Sequence, residues 1–362
     1  MVVDGSRQGH VHDGNAYVLR APSMRILASL AAQEGLLLKQ LDYKTAFLNA
    51  VVKNRNIFVR LPDDFMMALG AKKRYARLNK SVYGLKQASA EWYAHISTWL
   101  KRRNFVATKS DPCVFKAPAA FGMCYIGIST DDLMVLVDTE QHYSDLCRLL
   151  NTDHVVKDLG KLEWYLGISF EQDFEKSTVV LSQEKYISNL AIEHNCHNGR
   201  AAHTVLPTEL PTIQDVAKTP EQIKASSARP YRQLLGAINF VATNTRPDIS
   251  MAVSYLATFG NGHGLKHWQA MLHLLRYLYS TRNLKLTYSY QESNANVMSV
   301  YADSGYASCD PLLERGQYSG YVAMLNGGAV DWKARRVATK LSTTEAEYIA
   351  LCLGGREASH GK

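Results

Sequence analysis

The apolar residues change spacing several times along the chain, and each change marks a predicted element. Ile26, Leu27, Leu30 and Ala31 recur three and four apart, which predicts a helix over 22–35 with Gly35 as its stop. The apolar run 36–41 predicts a strand that delivers Asp42 at its end. Alternation over 57–61, closed by Pro62, predicts another strand. Trp92, Ile96, Trp99 and Leu100 restore helical spacing over 90–102. Runs at 113–115, 123–129 and 133–137 predict strands, with Asp131 and Asp132 in a tight turn between the last two. A helix over 140–150 and a hairpin from 164–170 and 178–181 follow.

The stretch 198–229 is polar and carries Pro207, Pro211 and Pro220, which predicts a loosely packed connection. Helical spacing resumes at 231–243, 249–259 and 267–280. Strands are predicted at 297–302, 320–324 and 330–333, before a last helix that opens near Ser342.

A length of 362 residues suggests two or three domains. No apolar run approaches bilayer-spanning length, and the first twenty residues lack a signal-peptide core. No membrane partner is therefore expected. A net charge of +8 fits a polyanionic partner such as nucleic acid. Lys72, Lys73, Arg74, Arg77, Lys80 and Lys86 form one basic cluster, and Lys101, Arg102 and Arg103 a second. The six cysteines are scattered without a CxxC pair, which predicts free thiols. His194, Cys196, His197 and His203 lie close in sequence but fit no strong zinc spacing.

Two strand ends carrying Asp42, Asp131 and Asp132 point to phosphoryl-transfer chemistry. Two divalent cations about 3.5–4 Å apart can bind both the attacking and the leaving oxygen, and such hard ions take carboxylate ligands. Spacing alone also allows ordinary turn aspartates. The run Leu41-Asp42-Tyr43-Lys44-Thr45-Ala46-Phe47-Leu48-Asn49 resembles the first catalytic motif of copia-type retrotransposon reverse transcriptases. Ser81-Val82-Tyr83-Gly84-Leu85-Lys86-Gln87-Ala88, with Trp92 after it, is similar to the second. Ser110-Asp111-Pro112-Cys113-Val114-Phe115, Lys157-Asp158-Leu159-Gly160 and Trp164-Tyr165-Leu166-Gly167 follow in family order. So do Tyr231-Arg232-Gln233-Leu234-Leu235-Gly236 and Thr245-Arg246-Pro247-Asp248-Ile249.

The resemblance implies an α+β fold: a reverse transcriptase palm over 21–182 after an unassigned tail at 1–20. A largely helical thumb and connection over 183–295 and a partial RNase H-like domain over 296–362 complete it. It implies RNA-directed DNA polymerase activity with Mg2+ or Mn2+, an RNA template, a DNA primer and deoxynucleoside triphosphates. Other parts of the element's polyprotein are further partners, in a cytoplasmic particle or the nucleus. Asp42, Asp131 and Asp132 become the metal-binding catalytic carboxylates, and Phe47 the ring that faces the sugar. Gln87 lies near the nucleotide, and Tyr165, Leu166 and Gly167 form the primer-gripping hairpin. Asp303 and Glu347 become an RNase H-like metal pair, with Glu345 as the capping residue beside Ser342 and the alternative ligand.

Two departures lower the expected activity. Ser129 and Thr130 stand where the family has Tyr-Val, and the fingers ahead of the first motif are expected to be missing. Weak or absent polymerisation is the expectation, with an inactive remnant that at most binds nucleic acid as the alternative. The RNase H-like part, ending at Lys362, is expected not to cleave RNA.

Overall fold

The computed structural model describes residues 2–5, 8, 17–52, 56–70, 74–305 and 316–338, with positions 347, 352 and 355 beyond them. It is a mixed α/β structure with several sheets. Two compact units emerge: residues 1–24 with 36–162, and residues 25–35 with 163–362. No helix among the described residues is long and apolar enough to cross a membrane.

The opening helix α1 (Ala21–Glu34) ends at Gly35, whose φ of +64° is the left-handed stop its sequence predicts. The first unit then runs β1 (Leu37–Tyr43), β2 (Phe58–Arg60), α2 (Asp63–Leu69), β3 (Tyr75–Arg77) and α3 (Ala88–Lys101). It continues through β4 (Val106–Ala107), β5 (Val114–Lys116), β6 (Cys124–Ser129), β7 (Asp132–Val137), α4 (Glu140–Leu150) and β8 (Val156–Lys161). Six of these strands form an antiparallel sheet in the order β4-β5-β6-β7-β1-β8. The central strands β6 and β7 are apolar and buried, as strands covered on both faces must be. Trp92, Ile96 and Leu100, one face of α3, join Leu41, Tyr43 and Val135 in a single core. Thr139 caps α4 by accepting from the His142 amide at 3.1 Å.

Motifs that suggest chemistry also fasten this unit. Asp111 is buried, and its carboxylate accepts from the Arg20 and Cys113 amides at 3.0 and 2.9 Å. Asp158 accepts from the Tyr143 hydroxyl at 2.5 Å and the Gly160 amide at 2.7 Å, where β8 shifts register on β1.

The second unit begins with β9 (Trp164–Tyr165), β10 (Ile168–Asp173), β11 (Thr178–Ser182) and α5 (Glu184–Glu193). Helices α6 (Pro220–Ser227), α7 (Tyr231–Asn244), α8 (Ser250–Ala257) and α9 (Leu265–Ser280) follow. Strands β12 (Leu286–Ser289), β13 (Ser299–Gly305), β14 (Gly316–Leu325) and β15 (Gly328–Ala338) come last. One sheet has the order β12-β11-β10-β9 and another β13-β14-β15. Ile187, Leu234, Ile238, Leu256 and Leu274 tie α5, α7, α8 and α9 into one core. The polar stretch expected to be loose contains α6, because Thr219 and Gln222 form a reciprocal capping box and Pro220 opens the first turn. Strand β12 was not expected. It is short, yet its Leu286 and Tyr288 are buried and it pairs with β11.

Arg25 on α1 is a buried cation of this unit. Its guanidinium donates to the Val330 carbonyl at 2.7 Å and to the Thr243 and Asn244 carbonyls at 2.7 and 3.0 Å. The last two are terminal carbonyls of α7, which have no partner within the helix. The Trp332 ring lies 3.9 Å below the guanidinium. Burial draws the Arg25 pKa down to about 10 against the pull of Tyr288 and Asp331, so it stays charged at neutral pH. Arg246 makes a second clamp, forked onto Asp248 at 2.9 and 2.7 Å and bonded to the Thr281 carbonyl at 3.0 Å.

Arg25→Ala would remove the side-chain donor from the Val330, Thr243 and Asn244 carbonyls. It is expected to lower the unfolding free energy by roughly 2–4 kcal/mol. Equilibrium urea unfolding of the full chain checks this, and an unchanged midpoint contradicts it.

Candidate active site

Register places the three aspartates. On the antiparallel pair β1–β7, Asp42 is the direct partner of Asp132, and Ser129 pairs with Asp132 across the β6–β7 hairpin. Thr130 and Asp131 form the two-residue turn, and Thr130 sits at φ +53°. A β-branched residue in the left-handed region is strained and needs outside support. Trp92 supplies it, donating its indole Nε1–H to the Thr130 carbonyl at 2.7 Å. The Tyr43 amide takes the Asp131 carbonyl at 2.8 Å. The turn is thus held from α3 and from β1.

The second motif forms the adjoining wall. Tyr83 donates its hydroxyl to Asp131 Oδ2 at 2.6 Å. Its ring meets Phe47 with centroids 4.4 Å apart, and Phe47 is 6% exposed in a short 3-10 turn after β1. Gln87 is 4% exposed at the start of α3 and accepts from Gln8 Nε2 at 2.5 Å. Lys86 bonds the same residue, through its amide to Gln8 Oε1 at 3.0 Å and through Nζ to the Gln8 carbonyl at 2.6 Å. The Val3 amide pairs with the Tyr83 carbonyl at 2.8 Å. Gly84, at φ +97°, lies so near Val3 that a Cβ there would sit 1.8 Å from its carbonyl oxygen. Residues 2–5 and 8, which the sequence left unassigned, therefore line the second motif.

Neighbouring carboxylates act on Asp131 and Asp132. Burial, then the charges of Asp42 and Asp132, raise the Asp131 carboxyl against the lowering hydrogen bond from Tyr83. Burial and Asp42 likewise raise Asp132, against a bond from Gln40. Burial and the bond to Asp131 push the Tyr83 hydroxyl up, so it remains a donor. Asp131 Oδ1 is buried with no hydrogen-bond partner. An orphaned carboxylate oxygen beside further carboxylates fits a divalent cation in charge and donor type. No three His, Cys, Asp or Glu side chains among the described residues form a ready cage for one. His194, Cys196, His197 and His203, all described residues, form no such cage.

The family described as Reverse transcriptase (RNA-dependent DNA polymerase) matches residues 1–208. The chain belongs to this reverse transcriptase family. It is 32% identical over 343 residues to the Retrovirus-related Pol polyprotein from transposon TNT 1-94 of Nicotiana tabacum, covering 94% of this chain and 25% of that protein. It is 27% identical over 340 residues to the Retrovirus-related Pol polyprotein from transposon RE1 of Arabidopsis thaliana, covering 91% and 22%. A transposon Ty5-1 protein of Saccharomyces cerevisiae is 29% identical over 311 residues, covering 85% of this chain and 97% of that protein. The chain thus spans about a quarter of the first of these copia-type polyproteins.

In this reverse transcriptase chain, Tyr165, Leu166 and Gly167 belong to the second unit. Leu166 and Gly167 both have positive φ, 50° and 80°, as the type I′ turn joining β9 to β10 requires. Tyr165 is buried, whereas Trp164 and Leu166 are exposed. Asp303 lies exposed on β13, bonded to the Ser304 amide at 2.8 Å. Glu347 is helical and exposed, while Ser342 and Glu345 lie outside the described residues. Several of the basic residues are engaged: Arg74 with Asp63 at 3.4 Å and Arg103 with Asp153 at 2.5 Å. Lys72 and Lys73 lie outside the described residues.

The hydroxyl of Tyr83 and the amide of Gln8 make contacts at the candidate site that sequence reasoning missed. Tyr83 reads as core or stacking aromatic, and no local spacing signals a bond to a residue 48 positions away.

Because the folded chain holds the Asp131 proton to higher pH than the unfolded chain, ionisation at neutral pH costs folded stability. That cost disappears as pH falls through the raised pKa. Asp131→Asn is therefore expected to melt about 1–2 °C higher at pH 7, allowing for solvent screening, with the gain shrinking toward acid. Melts by circular dichroism between pH 4 and 8 decide it. A lower midpoint at neutral pH counts against the mutual repulsion.

Proposed function

We propose that the first unit carries an RNA-directed DNA polymerase site. Asp42, Asp131 and Asp132 would hold two divalent cations, Mg2+ or Mn2+. The primer 3′-hydroxyl attacks the α-phosphate of a deoxynucleoside triphosphate, a new P–O bond forms, and pyrophosphate leaves. When bound, the cations supply positive charge against the attacking and leaving oxygens. The register of Asp42 against Asp132, with Asp131 in the adjoining turn, is the observation that carries this reading.

The remaining residues position and select. Phe47 presents a ring to the sugar, where a 2′-hydroxyl would collide with it. Gln87 contacts the nucleotide from the start of α3. Tyr165, Leu166 and Gly167 hold the primer end, with the exposed Leu166 at the hairpin tip. An RNA template, a DNA primer and the other parts of a copia-type polyprotein are the partners. Asp303 and Glu347 would serve RNA cleavage once further carboxylates join them. Ser129 in place of the family tyrosine favours a second reading, in which the chain binds template without extending a primer.

Primer extension on an RNA template with Mg2+ or Mn2+ tests the proposal. Asp42→Asn and Asp131→Asn are expected to lose at least about a hundredfold in rate, since losing even an outer partner of a metal ligand costs 10–100-fold. Salt-sensitive template binding without extension selects the second reading. In an active chain, Phe47→Ala is expected to reduce the preference for deoxynucleotides over ribonucleotides by more than about tenfold, because steric exclusion by the ring is lost. Unchanged selectivity removes Phe47 from the sugar contact.

A further inference from the structure

We infer that Tyr83 is a positioning residue for Asp131, holding one carboxylate oxygen so that the other stays committed to a cation. The inference rests on the two-cation reading of the site. It begins from an asymmetry in one side chain. Asp131 Oδ2 accepts from the Tyr83 hydroxyl at 2.6 Å, whereas Oδ1 is buried without a partner. A carboxylate with both oxygens free would turn about its terminal torsion, which is broad and roughly two-fold. A single strong donor on one oxygen removes that freedom and orients the other. Outer partners of this kind fix metal-binding carboxylates in place.

Tyr83 is itself held on two sides. Its ring packs against Phe47, with centroids 4.4 Å apart. Its backbone carbonyl accepts from the Val3 amide at 2.8 Å, and Val2 bridges the same residue in parallel. The turn bearing Asp131 is fixed separately by Trp92 and by the Tyr43 amide. Donor and acceptor are thus each fastened to the first unit by other contacts, and the hydroxyl sets the last torsion between them. The hydroxyl also contributes a neutral donor to a triad of carboxylates, which steadies Asp131 without cancelling the charge a cation needs.

The test is Mn2+ binding to the purified full chain, read from free Mn2+ by electron paramagnetic resonance. Tyr83→Phe removes the hydroxyl and keeps the ring on Phe47, and Tyr83→Trp removes the hydroxyl with different packing. Both are expected to weaken the tightest Mn2+ site about tenfold. Tyr93→Phe, which deletes a hydroxyl bonded to the Pro112 carbonyl, is expected to bind Mn2+ as the unmodified chain does. Thermal melts confirm that each variant is folded at the assay temperature. Unchanged or tighter binding in both Tyr83 variants overturns the inference alone, provided that Asp131→Asn abolishes the site. If the unmodified chain has no Mn2+ site sensitive to Asp131→Asn, the two-cation reading falls and the inference with it.

Discussion

Everything at the candidate site depends on the antiparallel pairing of β1 with β7. Side chains on a strand alternate faces with a period of two, so a slip of one residue would move every side chain to the opposite face. Leu37, Leu38 and Leu41 pair with Val137, Leu136 and Leu133, and this apolar match fixes the register. Asp42 and Asp132 come opposite each other as a consequence. The strained turn beyond them adds no freedom, because Trp92 grips the Thr130 carbonyl and Tyr43 grips that of Asp131. Hydrophobic burial thus determines where the charges sit.

That arrangement sets stability against chemistry. Two carboxyls, each raised by burial and by neighbouring charge, are a poor choice for a folding core. Local costs of this kind cluster at functional sites, where the surrounding structure over-determines the geometry. The second motif shares the work. Phe47 packs on Tyr83, and Tyr83 and Gln87 are bonded to residues near the start of the chain, so the wall of the site is built from three separate stretches of sequence.

Much of this fold was legible in the residues, for identifiable reasons. The helix 140–150 was read to its ends, because Thr139 caps it and Tyr143, Leu146 and Leu150 mark one face. The hairpin was legible from two apolar runs, but its turn is Thr130–Asp131, and Asp132, expected in the turn, opens β7 and pairs with Asp42. Helix α6 escaped because it buries only Ser226 and leaves Ile223 exposed, so its signal lies in the cap and not in periodicity. Strand β12 escaped because four residues give too short a pattern. The Tyr83 hydroxyl bond and the seat of Gln8 on Gln87 join residues 48 and 79 positions apart. Such pairs become visible only when the chain is folded. Trp92, by contrast, lies on the helical face that its spacing predicts and is buried there, although its indole N–H also secures the turn.

The contacts of Arg25 have a bearing on synthesis. Its partners at Thr243 and Val330 lie 218 and 305 residues downstream. At ribosomal rates of about 5–20 residues per second, the helix that carries it waits roughly 15–60 seconds before its last acceptor exists. During that interval a guanidinium destined for the interior remains hydrated. The second unit is therefore a late-closing structure whose first piece is made long before its last.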